Sequence, residues 1–169
     1  MSFTGPDVLL NNPAFIHDSA LLFGKVTIGP ESTVWPYVVM RAEVLEIRIG
    51  RRTNIQDFVM IHIGNHSPTI IGDNCSITHH CTIHGAVIGD NCLIGINSTI
   101  MDGVKIGNNC IIGGHTIVTE NTVIPDNSIV VGSPGKVIRT IDNSAANQLN
   151  ADFYYQNGRN YAKQIYRMD

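Results

Sequence analysis

From Ile88 onward an aliphatic residue returns every six positions: Ile88, Ile94, Ile100, Ile106, Ile112, Val118, Ile124 and Val130. Earlier stretches keep the same step in pieces, as Ile16, Leu22, Ile28, Val34 and Met40, then Ile49, Ile55 and Ile61, then Ile71, Ile77 and Ile83. Two places before this aliphatic the residue is small (Cys75, Cys81, Ala86, Cys92, Ser98, Cys110, Thr116, Ser128), and the place after it is often glycine. An α-helix repeats its facing every 3.6 residues and a strand every two, so neither yields a period of six. A parallel β-helix with very short strands and tight corners does, three hexads making one triangular coil of about 18 residues. The aliphatics then stack into a dry core, and the small residues fit where the triangle narrows. All four cysteines occupy that small slot, which marks them as buried hydrophobes and not as a disulfide or metal set.

The repeats run over roughly residues 14–132 and stop at G132-S-P-G-K-V. After Asp142, the segment N143-S-A-A-N-Q-L-N-A-D-F-Y-Y-Q-N offers a cap and apolar residues at helical spacing, which predicts a helix. Gly158 is expected to interrupt it before a second helical stretch ending at Met168. The predicted class is therefore all-β with C-terminal α: a β-helix domain over 1–141 and a helical segment over 142–169 packing on it. An open stack of flat coils exposes wide faces, which calls for capping or oligomerisation.

Composition narrows the function. A chain of 169 residues suits one domain. Its net charge of −3, with scattered Lys and Arg, argues against a nucleic-acid or membrane-surface partner. The start MSFTGPDVLLNNP lacks the basic and apolar regions of a signal peptide, and no apolar run approaches a membrane span. A cytoplasmic location is the expectation.

The informative residues break the repeat's own rule. Directly after the aliphatic, where the pattern favours a small residue, stand Arg41, Gln56, His62 and His84; one place further lie Asp57 and His79. Counting hexads from Ile49 puts Ile61 on the third face, and the short insertion in G64-N-H-S-P-T69 returns Ile83 to that same face one coil on. His62 and His84 are therefore expected side by side on neighbouring strands, which lie roughly 4.8 Å apart. Two imidazoles at that spacing can share a metal ion. His79 belongs to another face, so it would have to come from a neighbouring copy in a trimer to complete a three-histidine site with one open position, the form of a catalytic zinc centre. On spacing alone, a metal pair and two ordinary surface imidazoles both remain open. His66 and His80 read as solvated, and His17 and His115 carry no assigned role.

These segments resemble gamma-class carbonic anhydrases. T33-V-W-P-Y-V-V-M-R-A-E43 is similar to that family's Trp-Pro segment ending in Arg-Gly-Asp, and I49-G-R-R-T-N-I-Q-D57 to its Gly-x-x-Thr-Asn-Ile-Gln-Asp segment. M60-I-H62 and H79-H-C-T-I-H-G85 resemble the segments carrying its three histidines. The resemblance implies a left-handed parallel β-helix of hexapeptide repeats and a homotrimer. It also implies zinc or ferrous iron held by His62, His79 and His84 at each subunit interface, and reversible hydration of carbon dioxide by a metal-bound hydroxide. By the same resemblance Gln56 orients the hydroxide or the substrate, and Arg41 and Asp57 pair across the interface. Tyr155 or Tyr161 would reach a neighbour's site from the C-terminal helix.

Three departures separate this chain from the family pattern. Arg-Gly-Asp reads Arg41-Ala42-Glu43, Thr78 stands where many relatives have Gly, and the insertion G64-N-H-S-P-T69 has no carboxylate to serve as a proton shuttle, leaving His66 as the titratable residue there. Two other classes use the same scaffold. An acyl-CoA-dependent transferase needs a lone histidine as base and has no use for Gln56, Asp57 and two stacked histidines. A non-enzymatic trimeric subunit needs none of them.

Overall fold

The computed structural model describes residues 3–167. Short strands, nearly all parallel, wind into a left-handed triangular stack that ends in one helix, α1 (Ser144–Tyr161). The hexad aliphatics form three internal columns. One face stacks Ile28, Ile49, Ile71, Ile88, Ile106 and Ile124. The second stacks Ile16, Val34, Ile55, Ile77, Ile94, Ile112 and Val130. The third stacks Leu22, Met40, Ile61, Ile83, Ile100 and Val118. Most of these side chains have no exposure at all, and Cys75, Cys81, Cys92 and Cys110 are equally buried beside them.

Corners decide whether such a coil closes. The third residue after the aliphatic takes a left-handed conformation, with φ between 54° and 59° at Asn74, Asn91, Asn97, Asn109, Asn121 and Asn127. Asparagine visits this region at least cost among residues that carry a Cβ. Along one edge Asx side chains also tie coil to coil: Asp73 Oδ1 accepts from Arg51 N, Asp90 Oδ1 from Asp73 N, and Asn108 Oδ1 from Asp90 N, at 2.7–2.8 Å. Two long strands, Leu21–Ile28 and Val39–Ile49, run through the corner between the third and first faces and join those two sheets.

The coil is longer than its repeats. Phe3–Thr4 and Leu9–Leu10 already pair in parallel with Leu21–Leu22 and Thr27–Ile28. At the other end Ser128–Gly132 folds back antiparallel on Gly135–Thr140. Helix α1 then lies along the second face. Asn147 is buried there, donating to the carbonyls of Asn91 and Cys110 at 2.9 and 3.2 Å. Arg52 bridges Glu31 at 2.7 Å and Asp152 of the helix at 3.0 Å.

One expectation about this helix is corrected. It runs through Gly158 unbroken, and only a turn at 162–164 follows it. Gly158 is buried because the helix approaches the second face so closely that a Cβ would collide with Thr33. Met168, the expected end of a second helical stretch, lies outside the described residues. No helix among the described residues is long and apolar enough to cross a membrane.

Because Ile94 is clamped between Ile77 and Ile112, shortening it leaves a cavity the rigid coil cannot collapse into. Ile94→Ala is expected to cost about 2–5 kcal/mol, read as a lowered thermal midpoint with the circular dichroism spectrum unchanged at 25 °C.

Candidate metal centre

His62 and His84 face each other in the parallel ladder, with Ile61 opposite Ile83 beside them and Arg41 next in the same row. The insertion between them leaves the coil at a corner and returns in register. Thr69 anchors that return: its hydroxyl donates to the His62 carbonyl at 2.6 Å and accepts from Gly85 N at 3.0 Å. The two rings lie 5.0 Å apart, with His62 Nδ1 3.1 Å from His84 Nε2. An ion held tetrahedrally at about 2.0–2.1 Å from each nitrogen needs them about 3.3 Å apart, so the pair is spaced for a shared cation.

Carboxylates flank both rings. Glu43 Oε2 is 3.1 Å from His62 Nε2, and Asp102 Oδ2 is 3.0 Å from His84 Nδ1. With a cation between the rings, each flanking contact takes one ring hydrogen, the complement of two neutral imidazoles. The donor set therefore suits a divalent ion. Partial burial works against the Glu43 carboxylate, but its backbone hydrogen bond, His62 and the charge of Arg41 prevail and hold its pKa below the ordinary value. Glu43 also binds Arg41 directly. One Glu43 carboxylate thus touches both Arg41 and His62, while Ala42 is buried in the core.

The other predicted residues gather on the second face. Asp57 Oδ2 lies 3.0 Å from His79 Nδ1. In the single chain, then, Arg41 engages Glu43 and Asp57 engages His79. Gln56 is 2% exposed and donates through Nε2 to Asn54 Oδ1 at 2.9 Å. Asn54 in turn donates to Ser76 Oγ at 2.8 Å, and Ser76 to Asn150 Oδ1 of helix α1 at 3.0 Å. This buried relay fixes the Gln56 amide from the helix. Thr78 is absorbed locally, its hydroxyl donating to the Ile94 carbonyl at 2.6 Å. Within one chain, no three His, Cys, Asp or Glu side chains among the described residues converge to hold a metal. His62 and His84 are thus brought together, and His79 stands apart from them.

Of the remaining histidines, His80 stacks on Phe58, His17 contacts Ser19, and His115 contacts Asn97. His66 lines a cleft of about 480 Å³ together with His84 and Asp102. Within the single chain the helix tyrosines engage their own coil. Tyr155 lies under Arg52, and Tyr161 packs on Trp35 and Phe15. Burial, and with it the nearby charge of Asp57, raises the pKa of the Tyr154 phenol. Sequence reasoning assigned nothing to Asp102, Asn54, Ser76 or Asn150. Asp102 was accessible in principle, because it follows Ile100, the next aliphatic above Ile83 in the same column.

Fold and site together define a hexapeptide-repeat protein. The family model "Bacterial transferase hexapeptide (six repeats)" matches residues 85–120. The chain is 51% identical over 126 residues to a Methanocaldococcus jannaschii protein named "Probable carbonic anhydrase", a match covering 75% of this chain and 79% of that one. It is 44% identical over 128 residues to a Geobacillus kaustophilus protein named carbonic anhydrase, covering 76% and 70%. A solved Bacillus cereus structure, provisionally described as an acetyltransferase, is similar at a TM-score of 0.90 and 31% identity over 93% and 92% of the two chains. The chain belongs to the gamma-class carbonic anhydrase-like family of hexapeptide-repeat proteins.

The cysteines stay out of this chemistry. All four are free and buried; burial raises the Cys81 pKa, and a hydrogen bond to Cys92 together with burial raises that of Cys110. Burial shuts all four thiols away from solvent, so an aromatic disulfide reagent at pH 8 should titrate none of them in native protein and all four after denaturation.

Proposed function

We propose that this protein is a metal-dependent, gamma-class carbonic anhydrase-like enzyme that hydrates carbon dioxide reversibly at the interfaces of a homotrimer. The observation that carries this reading is the facing pair His62 Nδ1 and His84 Nε2 at 3.1 Å, two-thirds of a three-histidine site to which the described residues of one chain bring no third histidine. His79 of a neighbouring copy completes it. Each of the three histidines has one ring nitrogen against a carboxylate (Glu43, Asp57 or Asp102), leaving the other nitrogen for an ion. Zinc, or ferrous iron, would supply a Lewis acid that brings the ionisation of water towards about pH 7.

The chain's own residues then have definite tasks. Gln56, held through Nε2 by Asn54, keeps its second N–H and its carbonyl to orient water or substrate without itself titrating. Glu43 joins the Arg41 guanidinium to His62 and so fixes that ring. Asp57 holds the His79 ring directly.

Support for the trimer comes from the corner beside His79. There the left-handed positions that asparagine fills elsewhere hold Tyr37, Phe58 and His80, with φ of 60–61°. Bulky residues in this region carry about 1–2 kcal/mol of strain each. Their rings nevertheless stack in a column at 5.0 and 4.9 Å, with Tyr37 and Phe58 more than half exposed. An exposed aromatic column next to an incomplete site fits a subunit interface.

Acyl transfer is the second reading, favoured by the description of the Bacillus cereus structure. It gives no purpose to a facing histidine pair flanked by carboxylates.

Two experiments test the proposal. Zinc- or iron-loaded protein should hydrate carbon dioxide, and Gln56→Ala should keep its metal while losing about 100-fold in rate. Acetyl-CoA turnover without carbon dioxide hydration would favour the acyltransferase. Separately, chains carrying His62→Ala and His84→Ala should hold no metal, nor should chains carrying His79→Ala. Mixed trimers of the two should regain metal where an intact pair meets an intact His79. Mixed trimers proven by mass but empty of metal would overturn the shared site.

A further inference from the structure

We propose that Asp102 is a positioning residue which fixes the tautomer and orientation of His84, and so selects Nε2 as the nitrogen offered to the cation. The inference rests on the metal-centre reading above and extends it to a residue outside the family motifs.

Asp102 belongs to the coil after His84. Its carboxylate Oδ2 is 3.0 Å from His84 Nδ1, on the side of the ring away from His62. The carboxylate accepts, so Nδ1 must carry the hydrogen and Nε2 must keep its lone pair. Free imidazole side chains prefer the opposite tautomer, so the protein has to impose this one.

The surroundings are built around that carboxylate. A Cβ at either Gly64 or Gly85 would collide with Asp102 Oδ1, so the two glycines leave a notch that it fills. One of them opens the insertion, and the other directly follows His84 with φ +57°. Ser67 Oγ of the insertion also lies 3.4 Å from Oδ1. The backbone of Asp102 is fixed as well: its carbonyl accepts from Asn121 N at 2.8 Å, and the next residue, Gly103, donates to the Gly85 carbonyl at 2.8 Å. Ligand, carboxylate and insertion loop therefore form one unit. A partner of this kind, hydrogen-bonded to the far nitrogen of a metal-ligating histidine, is usually worth 10- to 100-fold in metal affinity or activity.

The test uses full-length protein labelled with ¹⁵N-histidine and stripped of metal, with the His84 signals assigned by their loss in His84→Ala. At pH 8 the ring shifts should report hydrogen on Nδ1 and none on Nε2 in the wild type. Asp102→Ala should move the hydrogen to Nε2 and weaken zinc binding roughly 10- to 100-fold in a chelator competition. Asp102→Asn keeps an acceptor oxygen in the same notch and should restore the wild-type tautomer and much of the affinity. Ser67→Ala, which removes only the loop contact, should change neither. Wild-type His84 protonated on Nε2, or Asp102→Ala with unchanged shifts and unchanged zinc affinity, overturns the proposal. Full zinc binding by His84→Ala and His62→Ala would instead overturn the metal-centre reading, while the metal-free shifts judge the action of Asp102 on the ring separately.

Discussion

Everything in this molecule depends on one constraint, the stacking of hexads in strict register. Each inward aliphatic sits on another one coil away, so the core is a set of columns and not a mosaic. The corners enforce this by taking a left-handed residue at a fixed offset, and asparagine fills more of them than any other residue. A slip by one residue would bury the polar positions and expose the aliphatic columns. Any residue placed outside the core is therefore positioned as rigidly as the core itself. This is how two histidines 22 residues apart in sequence come to face each other at 3.1 Å.

That rigidity explains what could be read from the chain. The aliphatic period gave the faces, the faces gave the pairing of His62 with His84, and both are as the sequence implies; Arg41 joins their row in the folded ladder. The same period put the four cysteines in buried slots. Other features depend on distances that a repeat count cannot supply. Gly158 looks like a helix breaker in a linear reading, yet it permits close contact with Thr33. The relay from Asn150 through Ser76 and Asn54 to Gln56 joins residues that meet only because the helix docks on the second face. The repeat count brings Asp102 to the coil beside His84, but their contact, diagonal across coils, follows from side-chain directions.

The departures from the family pattern gain a common sense in three dimensions. Glu43 engages His62 while still binding Arg41. Thr78 satisfies its own hydroxyl within the coil. The short insertion lacks an acidic shuttle, but its glycine and serine shape the notch around Asp102. Glu43 and the insertion thus direct polar chemistry at holding the imidazoles still. The strained aromatic corner of Tyr37, Phe58 and His80 runs beside the His79 edge, where a second copy would meet it.

The central claim is that one chain carries an incomplete site and that assembly completes it. Native mass spectrometry of protein loaded with excess zinc and then desalted addresses this directly, because it reads subunit number and bound metal on the same particle. The account predicts a trimer carrying three zinc ions and, after gentle dissociation, single chains carrying none. Single chains that retain one zinc each, or a trimer that binds none, would contradict it.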